Sequence, residues 1–284
     1  MKIAVCMKQV PAASEGNMDP ETGVLLRAGL QAIVNVYDLA ALEAALKIKE
    51  TYGAEIHVFT MGPQKAESVL REAFAMGADE GFLICDKAFA GADVLATSYT
   101  LMQAIKSAGD YDLILCGKQT TDGDTAQVGP QVAQKLGLSQ VTYAEEIEKC
   151  ENGKLTIRRH IDGGVEVVEA PMPIVITVNG SAAPCRPCNA KLVMKYKRAT
   201  VPLERTEDMP YKNLYNERPY LTLNQWSVAD VDGDPQQCGL SGSPTKVKAV
   251  KNIVFQAKEC KRISGCDNDI ECMIKELLEE KIIG

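Results

Sequence analysis

Residues Asp112–Val132 read DLILCGKQTTDGDTAQVGPQV. Asp112 to Cys116 is a run of strand length, as expected of a strand covered on both faces of a parallel sheet. Gly117 ends it. Lys118 to Asp124 is then rich in Thr, Asp and Gly, and Asp124 or Thr125 is placed to cap a helix carrying Val128, Val132 and Leu136 on one side. Such a loop delivers unpaired backbone N–H groups at the positive end of a helix dipole, which makes an anion site with phosphate the usual anion. An ordinary strand-to-helix connection explains the same residues, so both readings stand at this point.

Upstream, the pattern alternates. Lys2 to Val10 reads as a first strand ended by Pro11, and a long polar loop follows whose tail, Asp19, Pro20, Thr22 and Gly23, has the composition of a turn or small hairpin. Asn35 to Tyr52 carries Leu39, Leu42, Ala45, Leu46 and Ile48 at helical spacing, with Asn35 or Asp38 as candidate caps. Glu55 to Met61 is a strand, Ala66 to Met76 a helix, Gly81 to Cys85 a strand and Asp93 to Ala108 a helix. Strands alternating with helices predict an α/β fold: a Rossmann-like parallel sheet with helices on both faces and ligands beyond the carboxyl ends of its strands.

Downstream, Val141 to Glu148, Lys154 to Ile161, Gly164 to Glu169 and Ile174 to Val178 read as strands joined by hairpin signals at Asn152-Gly153 and Gly163-Gly164, which predicts an antiparallel extension. From about Ser181 prolines punctuate the chain and predict an extended segment lying on a surface or partner. A last amphipathic helix runs from about Asp269 to Lys281, with Ile270, Met273, Ile274, Leu277 and Leu278 needing cover. The expected division is a nucleotide-binding domain over residues 1–225 and a C-terminal arm over 226–284.

The chain has 284 residues, a formal net charge of −7 and 46% hydrophobic residues, enough for a sizeable core and unlike a general nucleic-acid binder. The basic cluster Lys191 to Arg198 is local. No apolar run approaches bilayer length, and MKIAVCMKQV reads as a strand rather than a signal peptide, so the expected compartment is the cytoplasm and the ten cysteines are expected as reduced thiols. Cys6, Cys85 and Cys116 read as core residues. Cys185 and Cys188 form a CxxC without a second pair at zinc-ribbon spacing, and no metal is assigned. His57 and His160 lie in strand-like runs and read as structural.

Chemistry by side chains finds little support. There is no Gly-x-Gly-x-x-Gly after the first strand, no P-loop, no Ser-Gly-Gly-x-Asp-Ser loop and no nucleophile with a neighbouring base, so no catalytic residue is assigned. Asp122 and Asp124 could pair as acid and base, but their place at a helix start favours capping and turn formation. Nucleotide binding is the better reading.

These residues resemble the small, or beta, subunit of electron-transfer flavoproteins. The resemblance rests on MKQVP at Met7–Pro11, NVYDLAALE at Asn35–Glu43, AMGAD at Ala75–Asp79, GKQTTDGDTAQVGP at Gly117–Pro130, IDGG at Ile161–Gly164 and VMK at Val193–Lys195. It spans about residues 1 to 200. It implies a heterodimer with a larger alpha subunit that carries an FAD, and a pocket in the small subunit that holds AMP in ordinary members and a second FAD in electron-bifurcating ones. By position, that pocket falls on Cys6, Lys8, Asn35, Asp38, Thr60, Met61, Cys116, Asp122, Gly123, Asp124, Thr125, Ala126, Gln127, Val128 and Gly129.

The run Asn-Val-Tyr-Asp resembles the bifurcating subgroup, where tyrosine and aspartate replace an Asn-Pro-Phe-Cys type of pattern. That resemblance implies an FAD that accepts a hydride from NADH and sends one electron to ferredoxin or flavodoxin and one, through the alpha-subunit FAD, to an acyl-CoA or other flavin dehydrogenase. The loop from Pro11 to Val34 would wall the flavin, residues 181–194 would be the docking loop, and the C-terminal arm would pack on the alpha subunit. The cysteines of Pro184-Cys185-Arg186-Pro187-Cys188 depart from the family's usual docking-loop pattern. A structural AMP, or a stand-alone adenine-nucleotide-binding protein or hydrolase, are the alternatives.

Overall fold

In the computed structural model, β1 (Lys2–Cys6), β4 (Glu55–Met61) and β6 (Leu113–Gly117) lie side by side as parallel strands, their middles fully buried. The structure describes residues 1–12, 32–182, 184–205, 209, 211–245, 260–280 and 282–283. Residues 1–12 and 32–245 belong to one unit, and α7 (Asp267–Glu279) to a second. The expected turn at Asp19–Gly23 and most of the loop proposed as a wall lie outside the described residues.

Outward from the centre come β5 (Glu80–Ile84) and β11 (Asn224–Trp226) on one side, and β10 (Ile174–Val178), β7 (Ser139–Glu151), β8 (Lys154–Ile161) and β9 (Gly164–Pro171) on the other. The full order is β11-β5-β4-β1-β6-β10-β7-β8-β9, parallel from β11 through β7 and antiparallel from β7 to β9. The antiparallel extension is therefore β7–β9, and Ile174–Val178 departs from the expectation by inserting in parallel between β6 and β7. Its five residues are all buried apolar or threonine positions, which suits a strand covered on both faces.

Helices cover the sheet because successive strand residues face opposite ways. Ile3 and Val5 share one buried core with Leu42, Ala45 and Leu46 of α1 (Val36–Tyr52) and Val69 and Leu70 of α2 (Glu67–Met76). Ala4 and Cys6 share the other with Leu101, Ala104 and Ile105 of α3 (Val94–Ala108) and Val132 and Ala133 of α4 (Val128–Leu136). The Asp93 carboxylate accepts from the backbone N–H groups of Leu95 and Ala96 and so caps α3.

The first strand is shorter than its composition suggests. It ends at Cys6, and β2 (Gln9–Pro11) turns away to pair with β3 (Ala32–Val34) in a separate antiparallel ribbon. The cause is Asp38: its Oδ2 accepts from the Lys8 N–H at 2.8 Å, taking that donor out of the sheet ladder. The proline-punctuated region forms α5 (Ala190–Tyr196), α6 (Leu214–Glu217) and β11, and it buries Leu221, Leu223, Val231 and Cys238. Among the described residues no helix is long and apolar enough to cross a membrane.

Candidate functional site

The chain runs from β1 through α1 to β4 on one side, then returns through α3 to β6 on the other. The order reverses between β1 and β6, and the crevice beyond their carboxyl ends is where open α/β sheets bind ligands. Residues 7–8 and 117–129 border it.

The first turn of α1 holds this crevice together. Asp38 is 5% exposed, and its carboxylate accepts from Lys8 N–H at 2.8 Å and Gly117 N–H at 3.1 Å, so one side chain ties the ends of the two strands at the reversal. Asn35 is fully buried. Its amide donates to the Gln119 carbonyl at 2.8 Å and its carbonyl accepts from Thr121 N–H at 3.3 Å. Asn35 occupies the N-cap position of α1 without capping it, because its side chain is used on the loop instead. The capping role expected for Asn35 or Asp38 is thus replaced by a clamp that reaches Gly117 across 79 positions and Gln119 across 84.

Lys8 Nζ lies 2.8 Å from Asp122 Oδ1, bridging the β1 end to the loop. The Gln119 amide donates to Asp124 Oδ1 at 2.9 Å, and Asp124 N–H donates to the Thr120 carbonyl at 2.9 Å. Asp124 and Ala126 have φ of 48° and 53°, so the loop doubles back on itself before α4 begins. Neither Asp124 nor Thr125 caps that helix. Gln127 stands at the N-cap without a side-chain bond. Asp122 and Asp124 are engaged as anchors, by Lys8 and by Gln119 respectively.

The unused donors are the chemical content of the site. Among the described residues, the N–H groups of Gly123, Thr125, Ala126 and Gln127 have no hydrogen-bond partner, and those of Val128 and Gly129 lie in the first turn of α4, where no intrahelical acceptor exists. Gly129 is buried so closely that a methyl group there would lie 2.6 Å from Thr177 Cγ2 and 3.5 Å from Cys116 Cβ, which seats the start of α4 directly on β6 and β10. Beside β1, Thr60 is fully buried with its hydroxyl unpartnered among the described residues, and Met61 follows it at the β4 end. Cys6 and Cys116 are register neighbours and both buried. The hydrogen bond from Cys6 and then burial push the Cys116 thiol well above its usual range, so Cys116 stays a protonated core residue beneath the α4 start. Gln119, Thr177 and Lys118, whose ammonium lies 5.4 Å from the Tyr143 ring centroid and 5.8 Å from that of Tyr37, were not singled out from sequence, and Gly117 was read only as the end of the strand and the start of the motif.

Burial dominates the ionisation of Asp38. It lifts the carboxyl from 3.8 to about 7 against the opposing pull of the Lys8 and Gly117 N–H groups. A carboxyl with a raised native pKa binds its proton more tightly when folded, so stability falls as pH rises through this window and levels off above about 7. The slope from this residue is at most about 1.4 kcal/mol per pH unit. Asp122 acts in the opposite sense, because the Lys8 contact and the Thr120 hydrogen bond outweigh burial and hold it below the usual range, and its effect lies below that window. Urea midpoints of the wild type should decline between pH 5 and 7.5, while Asp38→Asn should flatten the decline. An unchanged slope in the variant would assign the proton elsewhere.

The electron transfer flavoprotein domain family matches residues 22–206. The chain belongs to the electron transfer flavoprotein beta-subunit family. It is similar to the electron transfer flavoprotein subunit beta of Megasphaera elsdenii, 43% identical over 88% of this chain and 87% of that one. The subunit beta of Clostridium acetobutylicum is 42% identical over 87% of this chain and 86% of its own. A caffeyl-CoA reductase-Etf complex subunit, CarD, of Acetobacterium woodii is 41% identical over 87% and 86%. As a member of the family, the chain has its motif-bearing stretch, Gly117 to Pro130, at the strand ends described above.

Proposed function

We propose that this beta-subunit family member pairs with an electron-transfer flavoprotein alpha subunit and that its strand-end site holds an FAD. The observation that carries the proposal is the clamp: Asn35 and Asp38 fix a loop whose amide groups at 123 and 125–127 have no hydrogen-bond partner among the described residues, beside a buried hydroxyl on Thr60 that likewise has none among them. That donor set fits a phosphate-bearing adenine nucleotide. Backbone N–H groups from Gly123 to Val128 would take the phosphates, Asp124 or Thr125 would hold hydroxyl groups, and Cys6, Thr60, Met61 and Cys116 at the strand ends would flank the adenine. The Lys8–Asp122 pair closes one side, and Gly129 keeps α4 against the sheet.

A flavin in this place supplies hydride acceptance from NADH and release of single electrons, one to ferredoxin or flavodoxin and one, through the alpha-subunit FAD, to an acyl-CoA or other flavin dehydrogenase. The chain's own residues bind and orient it. Tyr37-Asp38, in place of the pattern of AMP-holding members, supports FAD over AMP. The name of the Acetobacterium relative, which ties that protein to a CoA-ester reductase complex, supports a dehydrogenase partner. Residues 181–194 would dock it: Arg186 pins the segment to α1, while Val193 and Met194 of α5 point outward at 41% and 69% exposure. The arm that includes α7 would pack on the alpha subunit through Ile270, Ile274 and Leu278, spaced on one stripe.

Purification with the alpha subunit and a count of cofactors tests this. Two FAD per heterodimer is the expected result, whereas one FAD plus one AMP would sink the flavin assignment and leave the site structural. An active monomer without a partner would favour a stand-alone nucleotide protein. Asp124→Ala should weaken the small-subunit nucleotide about tenfold, since it removes the Gln119 anchor at a residue with positive φ, where aspartate is better tolerated than alanine. Full occupancy in that variant would place the nucleotide elsewhere.

A further inference from the structure

The amino ends of β4 and β5, opposite the strand ends that carry the candidate nucleotide loop, bring a histidine between two carboxylates. His57 sits beside Glu80 in the parallel register of β4 and β5, and Glu55 precedes it by two residues on the same face of β4. The His57 side chain is 3% exposed, and its Nε2 lies 3.1 Å from Glu55 Oε1 and 3.5 Å from Glu80 Oε2. Yet among the described residues that nitrogen has no hydrogen-bond partner. A buried ring nitrogen aimed between two carboxylates but hydrogen-bonded to neither is costly unless something else satisfies it.

We infer that Glu55, His57 and Glu80 form a binding site for one divalent first-row transition ion, with Zn2+ the best match. The three ligand atoms lie within 4.8 Å of one another. Bonds of about 2.0–2.2 Å from imidazole nitrogen and carboxylate oxygen to a common zinc centre give ligand-to-ligand edges of about 3–3.5 Å. The observed 3.1 and 3.5 Å separations from His57 fall in that range. One imidazole and two carboxylates suit zinc, manganese or ferrous iron better than calcium or magnesium, which prefer oxygen alone. An ion of charge +2 also balances the two carboxylates beside a neutral ring.

The surroundings support the ligands from behind, as metal sites require. His57 Nδ1 is 2.8 Å from the Tyr111 hydroxyl, and the ring packs against Phe82 and Tyr111 with centroids 5.9 and 5.6 Å away. The second oxygen of Glu80 accepts from the Asn224 amide at 3.0 Å, which links the site to β11. The carboxylates are 57% and 43% exposed, so an ion has a path in and an outer position for water. Three protein ligands on two strands make the role a tie between β4 and β5. When the ion binds Nε2, the ring proton resides on Nδ1, and the Tyr111 oxygen accepts it.

The full chain, stripped with a chelator, would be titrated with Zn2+ against a chromophoric chelator and, separately, with Co2+ as a spectroscopic probe. Cys185, Cys188, Cys260, Cys266 and Cys272 would be replaced by serine in the background, since exposed thiols also take these ions. One ion per chain is expected, with cobalt bands of nitrogen and oxygen ligation and no thiolate-to-cobalt band. Glu55→Gln should weaken the ion at least about tenfold and His57→Gln should abolish stoichiometric uptake. Glu55 is the more exposed ligand, so its variant carries the test if His57→Gln does not fold. No stoichiometric uptake, uptake unchanged in Glu55→Gln, or a thiolate band would overturn the site and leave His57 as an ion-pair partner of its two glutamates.

Discussion

Gly117→Ala is expected to cost about 3–5 kcal/mol of stability and to abolish nucleotide retention by the small subunit. A methyl group at 117 would overlap Asp38 Oδ1 and lie 2.7 Å from the Tyr37 carbonyl carbon and 2.8 Å from the Asp38 nitrogen. Two of those atoms are backbone, so no change of rotamer relieves the contact and α1 must lift off β6. Overpacking of this kind costs about 1–3 kcal/mol. The displacement also breaks the hydrogen bond from Gly117 N–H to a buried carboxylate, a class of bond that contributes about 1.5–3 kcal/mol. Gly123→Ala is the internal control. It sits in the same loop, exposed, and its nearest neighbour would be Thr120 Oγ1 at 3.5 Å, an ordinary contact. Urea midpoints for the two variants should therefore separate widely. A Gly117→Ala protein within 1 kcal/mol of the wild type, about the control's own range, would mean that the clamp is softer than its distances imply.

The same junction marks the limit of what could be read in advance. Helix α1 and strands β4 and β8 were legible nearly to the residue, because α1 carries apolar residues at helical spacing, β8 alternates at Leu155 and Ile157, and β4 is a continuous buried run closed by Gly62-Pro63. The loop after β6 was legible as a strand-to-helix connection, from the apolar run that precedes it and the helical spacing that follows. Asp38, Lys8 and Asp122 were singled out, but their contacts were not, since Lys8 meets Asp122 across 114 positions and Asp38 meets Gly117 across 79. Such pairs depend on which strands adjoin, and strand order leaves no periodic trace. The parallel insertion of β10 was missed on that account: hairpin signals announced β7, β8 and β9 but could not say that the next strand crosses back to the far side of β7. β11 was missed because three residues are too few to show an alternation. His57 illustrates both points. Its strand was evident, whereas its position opposite Glu80 follows only from the register of β4 and β5.

Arg186→Ala is expected to destabilise the protein by about 3 kcal/mol although it lies in a proline-bounded surface segment. Glu43, inside α1, is 5% exposed, and its carboxylate accepts from Arg186 Nε at 2.9 Å, Nη2 at 3.0 Å and the Arg186 backbone N–H at 3.0 Å. Removing the guanidinium leaves a buried carboxylate with the backbone donor alone, and an uncompensated buried charge costs about 3–5 kcal/mol. The surviving backbone bond places the expectation at the lower end. Arg186 also bonds Glu50, but that carboxylate is largely exposed and adds little. The pair is asymmetric: Glu43→Gln removes the buried charge itself and leaves Arg186 with Glu50 and solvent, so it should cost clearly less than Arg186→Ala. The double variant should then recover part of the Arg186→Ala loss. If the two single variants cost the same and the double variant recovers nothing, the segment is held by its backbone contacts, such as Asn189 N–H to the Ala75 carbonyl at 2.8 Å, rather than by charge. Recovery in the double variant would instead make Arg186 the pin that presents Val193 and Met194 for docking, and partner affinity would then fall with Arg186→Ala while cofactor content at the strand ends stayed unchanged.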